Sequence, residues 1–402
     1  MGLQHQAEPT HHFQNHLKQM RLTRGLSQSE LAARAGITRQ AVCAIEANQY
    51  LPTTAVALRL GSVLSCKVED LFRLTATGEI VSGELITRSP SESLPQNARV
   101  KVYRVGERLI VRTVASLGDV LNCAIAADGL TVNAESDSRK RDGGPRRLQV
   151  QLLRDRRLIE QEIAVAGCDP AIFLAGEYLR RHTHTAAVVG WTMGSGAALD
   201  ALKRGEVHVA GVHIVDSKSG ESNLPYVKQH LKGYDVNVVT FASWEEGLIV
   251  RAGNPLSIRT ISDLGRRDVR IINREPRSGA RLLLDQKLSA AGMASHHVTG
   301  YERVTSSHLD VARMVSEGHA DAGIGVRFAA HYYGCDFLPI QNARYDLVVP
   351  KAYLASHPVL ETFFDTIVTR QFRSEVQALG GYDTTQTGTL HRLSGSEGKE
   401  VS

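Results

Sequence analysis

The sequence predicts a multidomain chain: an all-α helix-turn-helix domain, a small β module and an α/β domain. Three observations lead there. Residues 10–76 carry helical periodicity broken by a short glycine turn, residues 80–160 alternate apolar and polar positions, and residues 162–390 alternate buried strands with helices. At 402 residues the chain is too long for one ordinary domain, and 42% apolar residues suffice for several cores.

In the first domain, Ser27 opens a helix with Glu30 three residues on, the pattern of a capping box. Leu31 and Ala32 give it an inner face, and Gly36 suits the left-handed residue that closes it. Thr38 caps a second helix, 39–47, whose inner face is Val42 and Ile45. Helix, glycine turn and helix form the geometry that sets a second helix into a major groove. Charge agrees: residues 10–76 hold eight bases against four acids, a net +4 in a chain whose total is +5.

The run from Leu26 to Glu46 resembles the Cro/repressor-like (XRE-type) helix-turn-helix family, with Asn48-Gln49-Tyr50-Leu51-Pro52 matching its following loop. Segments 54–64 and 68–71 match its two closing helices. The resemblance implies a double-stranded DNA partner. Thr38, Arg39 and Gln40 start the reading helix, where Gln suits adenine and Arg suits guanine or phosphate. Gln28 and Asn48 are phosphate candidates, and Glu46 is read as an ion-pair partner within the fold.

In the middle module, 100–103 and 148–152 read as half-buried strands, with Gly106-Glu107 and Asp128-Gly129 as hairpin turns. The expectation is an antiparallel connector. The basic cluster Arg139-Lys140-Arg141 with Arg146-Arg147 reads as a solvated loop.

The third region opens with strand 162–167 and Cys168-Asp169-Pro170, where Asp169 suits an N-cap and Pro170 the first helical position. A strand at 186–191, the loop Thr192–Gly196, a helix to Leu202 and a strand at 208–213 complete a βαβαβ rhythm. Strands are then expected at 246–250, 269–272 and 320–326, with helices 279–291 and 309–316. In such sheets, ligands bind at strand carboxyl ends beside helix N-termini.

The pieces Ala166-Gly-Cys-Asp-Pro170, Gly194-Ser-Gly, Gly253-Asn-Pro, Asn273-Arg, Ser278-Gly-Ala-Arg281, Ala320-Asp-Ala-Gly323 and Gly380-Gly-Tyr-Asp resemble type 2 periplasmic-binding-protein domains, in particular the molybdate-binding-protein-like domain of helix-turn-helix regulators. That resemblance implies a two-lobed domain, lobe 1 at about 162–242 and 348–390 and lobe 2 at about 246–342, closing on a ligand. A molybdate or tungstate effector needs hydroxyls and helix-end N–H groups. Thr192, Ser195, Ser278 and Tyr345 would supply hydroxyls; Gly194, Gly196 and Gly279, amides; Arg277 and Arg281, charge. Asp169 opposes a bare dianion unless its carboxylate is spent on helix amides, or unless the ligand carries a cationic or donor group.

No Ser-His-Asp set, Walker loop or dinucleotide fingerprint stands out, so an enzyme is disfavoured and no catalytic residue or cofactor is assigned. His182 with His184 and His296 with His297 read as surface or helix-end histidines, so no metal site is assigned. Cys168 reads as a small buried residue, and Trp191 as core or as a stacking platform. Five scattered cysteines, no apolar leader and no run of ~20 apolar residues point to a cytosolic protein without a membrane partner. The sequence reading is thus a ligand-responsive transcription regulator, expected as a homodimer. The alternative is a cytosolic delivery protein for a small molecule whose helical domain binds a protein.

Overall fold

The computed structural model describes residues 11–76, 78–87, 94–117, 125–132, 146–183, 185–216 and 219–395. Cys123, Arg139-Lys140-Arg141 and His184 lie outside them. The chain divides into two compact units, residues 1–81 with 149–156 and residues 82–148 with 157–402. No described helix is long and apolar enough to cross a membrane.

In the first unit, helices α1 (Leu17–Thr23), α2 (Gln28–Ala35), α3 (Arg39–Glu46), α4 (Thr54–Leu64) and α5 (Val68–Leu71) surround one core. Leu17, Leu31, Val42, Ile45, Leu60 and Leu64 are fully buried in it. Each such side chain contributes roughly 1.5–3 kcal/mol of burial free energy. The capping box at Ser27 and Glu30 is formed, Gly36 adopts φ +64°, and the Thr38 hydroxyl accepts the Ala41 N–H. The expected run of helix over 13–74 is corrected at both ends. Strand β1 (His11–Asn15) pairs antiparallel with β2 (Phe72–Ala76), which joins the two ends of the bundle.

Strands β3 (Ile80–Leu85), β4 (Arg99–Val105), β5 (Arg108–Thr113), β6 (Gly129–Thr131) and β7 (Arg147–Leu152) close a small barrel in the order β3-β5-β4-β6-β7. The expected antiparallel module is therefore a closed barrel with one parallel pairing, β3 with β5. Gly106-Glu107 does form the β4–β5 hairpin, with Gly106 at φ +56°. Asp128-Gly129 does not form a hairpin. Asp128 is fully buried, and its carboxylate takes the Lys101 ammonium at 2.7 Å and the Val102 N–H at 2.9 Å. Lys101 also reaches Glu162 at 3.2 Å, at the start of the α/β domain. The Tyr103 hydroxyl donates to the Glu206 carbonyl, and the Arg112 guanidinium lies 4.7 Å from the Trp191 ring centre. These contacts, all within the second unit, tie β4 and β5 to the first lobe, and they place Trp191 in the core.

The α/β domain has two lobes strung on a shared sheet. Strands β8 (Ile163–Gly167), β9 (Val188–Thr192) and β10 (Val209–Val212) are parallel, in the order β10-β8-β9. Their βαβαβ connections follow the expected rhythm. The segment expected as strand 246–250 is the end of a strand of 15 residues, β11 (Val236–Val250). Strands β12 (Asn273–Arg274) and β13 (Val304–Thr305) form a short parallel pair, and β14 (Ala322–Val326) lies against β11. Strand β15 (Asp336–Pro350) pairs antiparallel with β11 along its length. Both long strands run from one lobe into the other. Their register slips between Thr240 and Ala242 and again between Glu246 and Gly247, on either side of the break between the two expected lobes. The expected strand at 269–272 is reduced to an isolated bridge between Ile271 and Ala322, and pairing begins at Asn273.

Candidate functional site

The candidate reading surface of the first unit is the outer face of α3. Val42 and Ile45 turn inward, which leaves Thr38, Arg39, Gln40 and Cys43 exposed. Cys43 shares this face through helical spacing and was missed as a contact candidate. Asn48 sits just beyond α3 at φ +58°, its side-chain oxygen accepting from the Asn15 amide at 3.0 Å. Gln28 is half-buried, and its amide donates to the Glu46 carboxylate at 2.9 Å. Glu46 plays the expected structural role. Arg21 Nε lies 2.6 Å from it, and both side chains are nearly solvent-free. Burial pushes the Glu46 carboxyl up, but the hydrogen bonds from Arg21 and Gln28 and the Arg21 charge outweigh it and lower the pKa. This pair fixes α3 against α1 and so sets the angle of the reading face.

The second site is the cleft between the two lobes of the α/β domain, a cavity of about 370 Å³. Its walls include Cys168, Asp169, Phe173, Thr192, Trp244, Ser307, His308, Phe328 and Tyr382. The local sequence explains the placement. Strand β8 ends at Gly167, and Asp169 accepts the Ala171 N–H at 2.7 Å as the helix Ala171–Thr183 begins. Asp169 is thus spent partly on its own helix, and it also accepts from the Tyr382 hydroxyl at 3.1 Å. Burial pushes its carboxyl up to about 6, against the opposing pull of those two donors. On the far wall, Ser307 caps the helix His308–Ser316 and puts His308 at its first position.

The other predicted ligand residues fall into two groups. Gly194, Ser195 and Gly196 meet Arg277, Ser278 and Gly279 where the lobes touch. The Gly196 N–H donates to the Arg277 carbonyl at 3.3 Å, and a Cβ on Gly194 would lie 2.8 Å from that of Ser278. A Cβ on Gly279 would strike the His213 carbonyl at 2.0 Å, so glycine permits this approach. The hydroxyls there have protein partners: Ser195 accepts the His213 N–H, and Ser278 caps Arg281 and donates to the Glu275 carbonyl. Arg277, at φ +68°, pairs with Asp200 of the opposite lobe at 2.7 Å. Arg281 stacks 3.9 Å from the Tyr301 ring centre and pairs with Asp285. Tyr345 is fully buried, wedged against Gly167 and Gly211 behind the cleft.

Cys168, read from the sequence as a small buried residue, is indeed buried, and two buried histidines the sequence reading did not name lie beside it. Cys168 Sγ lies 3.4 Å from His213 Nδ1, and His213 Nε2 lies 3.2 Å from the Glu246 carboxylate. His308 packs beside them, its ring centre 5.1 Å from that of His213. Burial, the Arg274 charge and His213 hold the His308 imidazole well below its ordinary pKa, in the neutral form. Each follows a strand end or opens a helix, which is the one signal the sequence offered. By contrast, His182, His296 and His297 are exposed, as expected.

Together the two units present an exposed helix-turn-helix face and a two-lobed α/β domain with a cleft between its lobes. Residues 17–71 match the helix-turn-helix family model, and residues 176–367 match the PBP superfamily domain. The chain belongs to the XRE-type helix-turn-helix regulators and carries a PBP superfamily domain behind the helical one. It is 41% identical over 62 residues to the uncharacterized HTH-type transcriptional regulator YgzD of Bacillus subtilis, covering 15% of this chain and 94% of YgzD. It is 37% identical over 197 residues to the uncharacterized protein YvgK of the same bacterium, covering 49% of this chain and 63% of YvgK. The chain therefore spans less than two thirds of YvgK. Among solved structures, an ABC-type phosphate transport receptor from Vibrio cholerae aligns over 55% of this chain and 99% of its own, with TM-score 0.38 and 14% identity. That likeness is too loose to bear on the ligand.

Proposed function

We propose that this chain is a transcription regulator that reads a DNA operator with α3 and responds to a small effector held in the cleft of its α/β domain. The observation that carries the reading is the exposed face of α3, with Arg39 and Gln40 leading it and a buried ion pair fixing it from behind. One such helix reads a short half-site, so the working form is a homodimer on two half-sites. We read the cleft as a binding site, not a catalytic one.

The finer reading is an effector bearing an oxyanion, molybdate and tungstate included. Arg274 supports it: it is 1% exposed, and its Nη1 has no hydrogen-bond partner among the described residues. To shift DNA occupancy, the effector must bind one global state better than the other.

Selection of duplexes from a random library with the full chain, followed by fluorescence anisotropy at fixed salt, tests the DNA reading. The Arg39→Ala/Gln40→Ala variant is expected to lose at least about tenfold in specific affinity, since a good side-chain–base pair is worth about 1–3 kcal/mol. Unchanged affinity would reject α3 as the reading helix. A thermal-shift series with molybdate, tungstate and sulfate tests the oxyanion: stabilisation of the second unit supports it, and no shift at high concentration rejects it.

A further inference from the structure

We propose that Cys168, His213 and His308 form a binding site for a thiophilic transition-metal ion, Zn²⁺ or Cu⁺, that ties the two lobes together across the cleft. Its consequence for DNA binding rests on the regulator reading above; the site itself does not.

The three residues come from separate elements. Cys168 follows β8, His213 follows β10, and His308 opens a helix of the opposite lobe. All three are buried, and one ligand atom from each lies within 4.8 Å of the others. Thiolate and imidazole together suit zinc and copper, whereas the harder magnesium and calcium ions take oxygen ligands.

The spacing fits one ion. Tetrahedral zinc, with Zn–S near 2.3 Å and Zn–N near 2.0 Å, places a sulfur and a nitrogen ligand about 3.5 Å apart. Cys168 Sγ and His213 Nδ1 are 3.4 Å apart. The ligand atom of His308, in the other lobe, lies within 4.8 Å of the other two, so a closure of at most about 1.3 Å, by ring rotation or lobe approach, completes the shell.

Two further observations point to a ligand. Both ring nitrogens of His308 lack any hydrogen-bond partner among the described residues, although the residue is 4% exposed. Such a group costs free energy unless something binds it. The second is the Glu246 carboxylate, 2% exposed and 3.2 Å from His213 Nε2. A carboxylate behind the distal nitrogen is how metal-bound histidines are oriented. The buried charge around the site is mixed: Glu246 and Asp169 are acidic, and the Arg274 guanidinium beside His308 is positive. Binding transfers the Cys168 thiol proton to solvent and forms the metal–sulfur bond. The remaining coordination position faces the cavity that Cys168 and His308 line, open to an anionic group of the effector.

The test uses the metal-free full chain titrated with Co²⁺ as a spectroscopic probe and with Zn²⁺ against a chromophoric chelator. The expected result is one ion per chain with a sulfur-to-cobalt charge-transfer band that Cys168→Ser abolishes. Glu246→Gln should keep the band while weakening Zn²⁺ about 10–100-fold. Competition against the chelator needs no variant and should retain one Zn²⁺ per chain. Absence of a sulfur band, a band that survives Cys168→Ser, or no Zn²⁺ retained against the chelator would each overturn the site. Loss of the metal result with DNA selection intact removes this proposal alone; metal binding without DNA selection removes the regulator reading alone.

Discussion

Replacing Glu46 with Ala should cost the first unit about 3 kcal/mol. The side chains of Glu46 and Arg21 are 4% and 7% exposed, and two guanidinium nitrogens bond the carboxylate at 2.6 and 3.1 Å. Removing one partner of a buried pair costs roughly 3–5 kcal/mol, because the other charge is stranded. Arg21 keeps a bond to the Leu26 carbonyl, so the lower end applies. A helical unit of this size is stable by only about 3–10 kcal/mol, so the variant should be marginal. The assay separates the units. Both tryptophans, Trp191 and Trp244, belong to the second unit, so their fluorescence follows that unit while far-UV circular dichroism follows both. Urea titration of Glu46→Ala should bring an early loss of ellipticity with the tryptophan transition unmoved. The pH dependence has a definite sign. The folded-state pKa of Glu46 is lowered, so its stabilisation is present above the unfolded value near 4.3 and is lost as pH falls through the folded value. The variant should lack that acid-side loss. A destabilisation under about 1 kcal/mol, or an unchanged acid limb, would refute the argument that this pair sets the reading face.

Three further outcomes test the second unit. The Asp169 carboxyl, raised to about 6, keeps a proton in the folded state that the unfolded chain has already released. Stability should therefore fall by about 3 kcal/mol as pH rises from about 4 to 6, and Asp169→Asn should remove that slope in tryptophan-monitored urea melts. Gly211→Ala places a Cβ 1.8 Å from the Tyr345 hydroxyl, so it should cost at least about 2 kcal/mol in the same melts. Lys101→Met takes the buried ammonium away from the Asp128 and Glu162 carboxylates and should destabilise β4 and lobe 1 together by about 3–5 kcal/mol, read as a lowered urea midpoint.

The helical domain was legible because its determinants are local. Ser27 acts with Glu30 and Thr38 with Ala41, each pair three residues apart, Gly36 turns the chain by its own φ, and the pattern names both helices and the turn. The β1–β2 pairing was not legible, since it joins residues near 11–15 to those near 72–76 and no local rule announces the partner. The same holds for β11 and β15. β11 is buried almost throughout while β15 is buried only in its second half, so neither alternates cleanly, and the sequence reads as short strands where two 15-residue strands run. Asp128-Gly129 has turn composition, yet Lys101 draws the aspartate inward and the local preference loses to a buried ion pair. In the cleft, Asp169 was found through its capping position. The Cys168–His213 pair is 45 residues apart, and His308 belongs to the other lobe, so a search for closely spaced metal ligands passes over all three. The glycines and serines singled out for an anion do converge, but where the lobes touch, with the Gly196 N–H and the Ser195 and Ser278 hydroxyls engaged by protein groups.

The face of α3 offers the most direct measurement, because it carries its own probe. Cys43 lies exposed beside Arg39 and Gln40. Alkylation of the native chain should be fast at Cys43 and should slow at least tenfold when the selected duplex saturates it, with Cys335 unaffected. Full reactivity of Cys43 in the saturated complex would mean that DNA is held by some other surface.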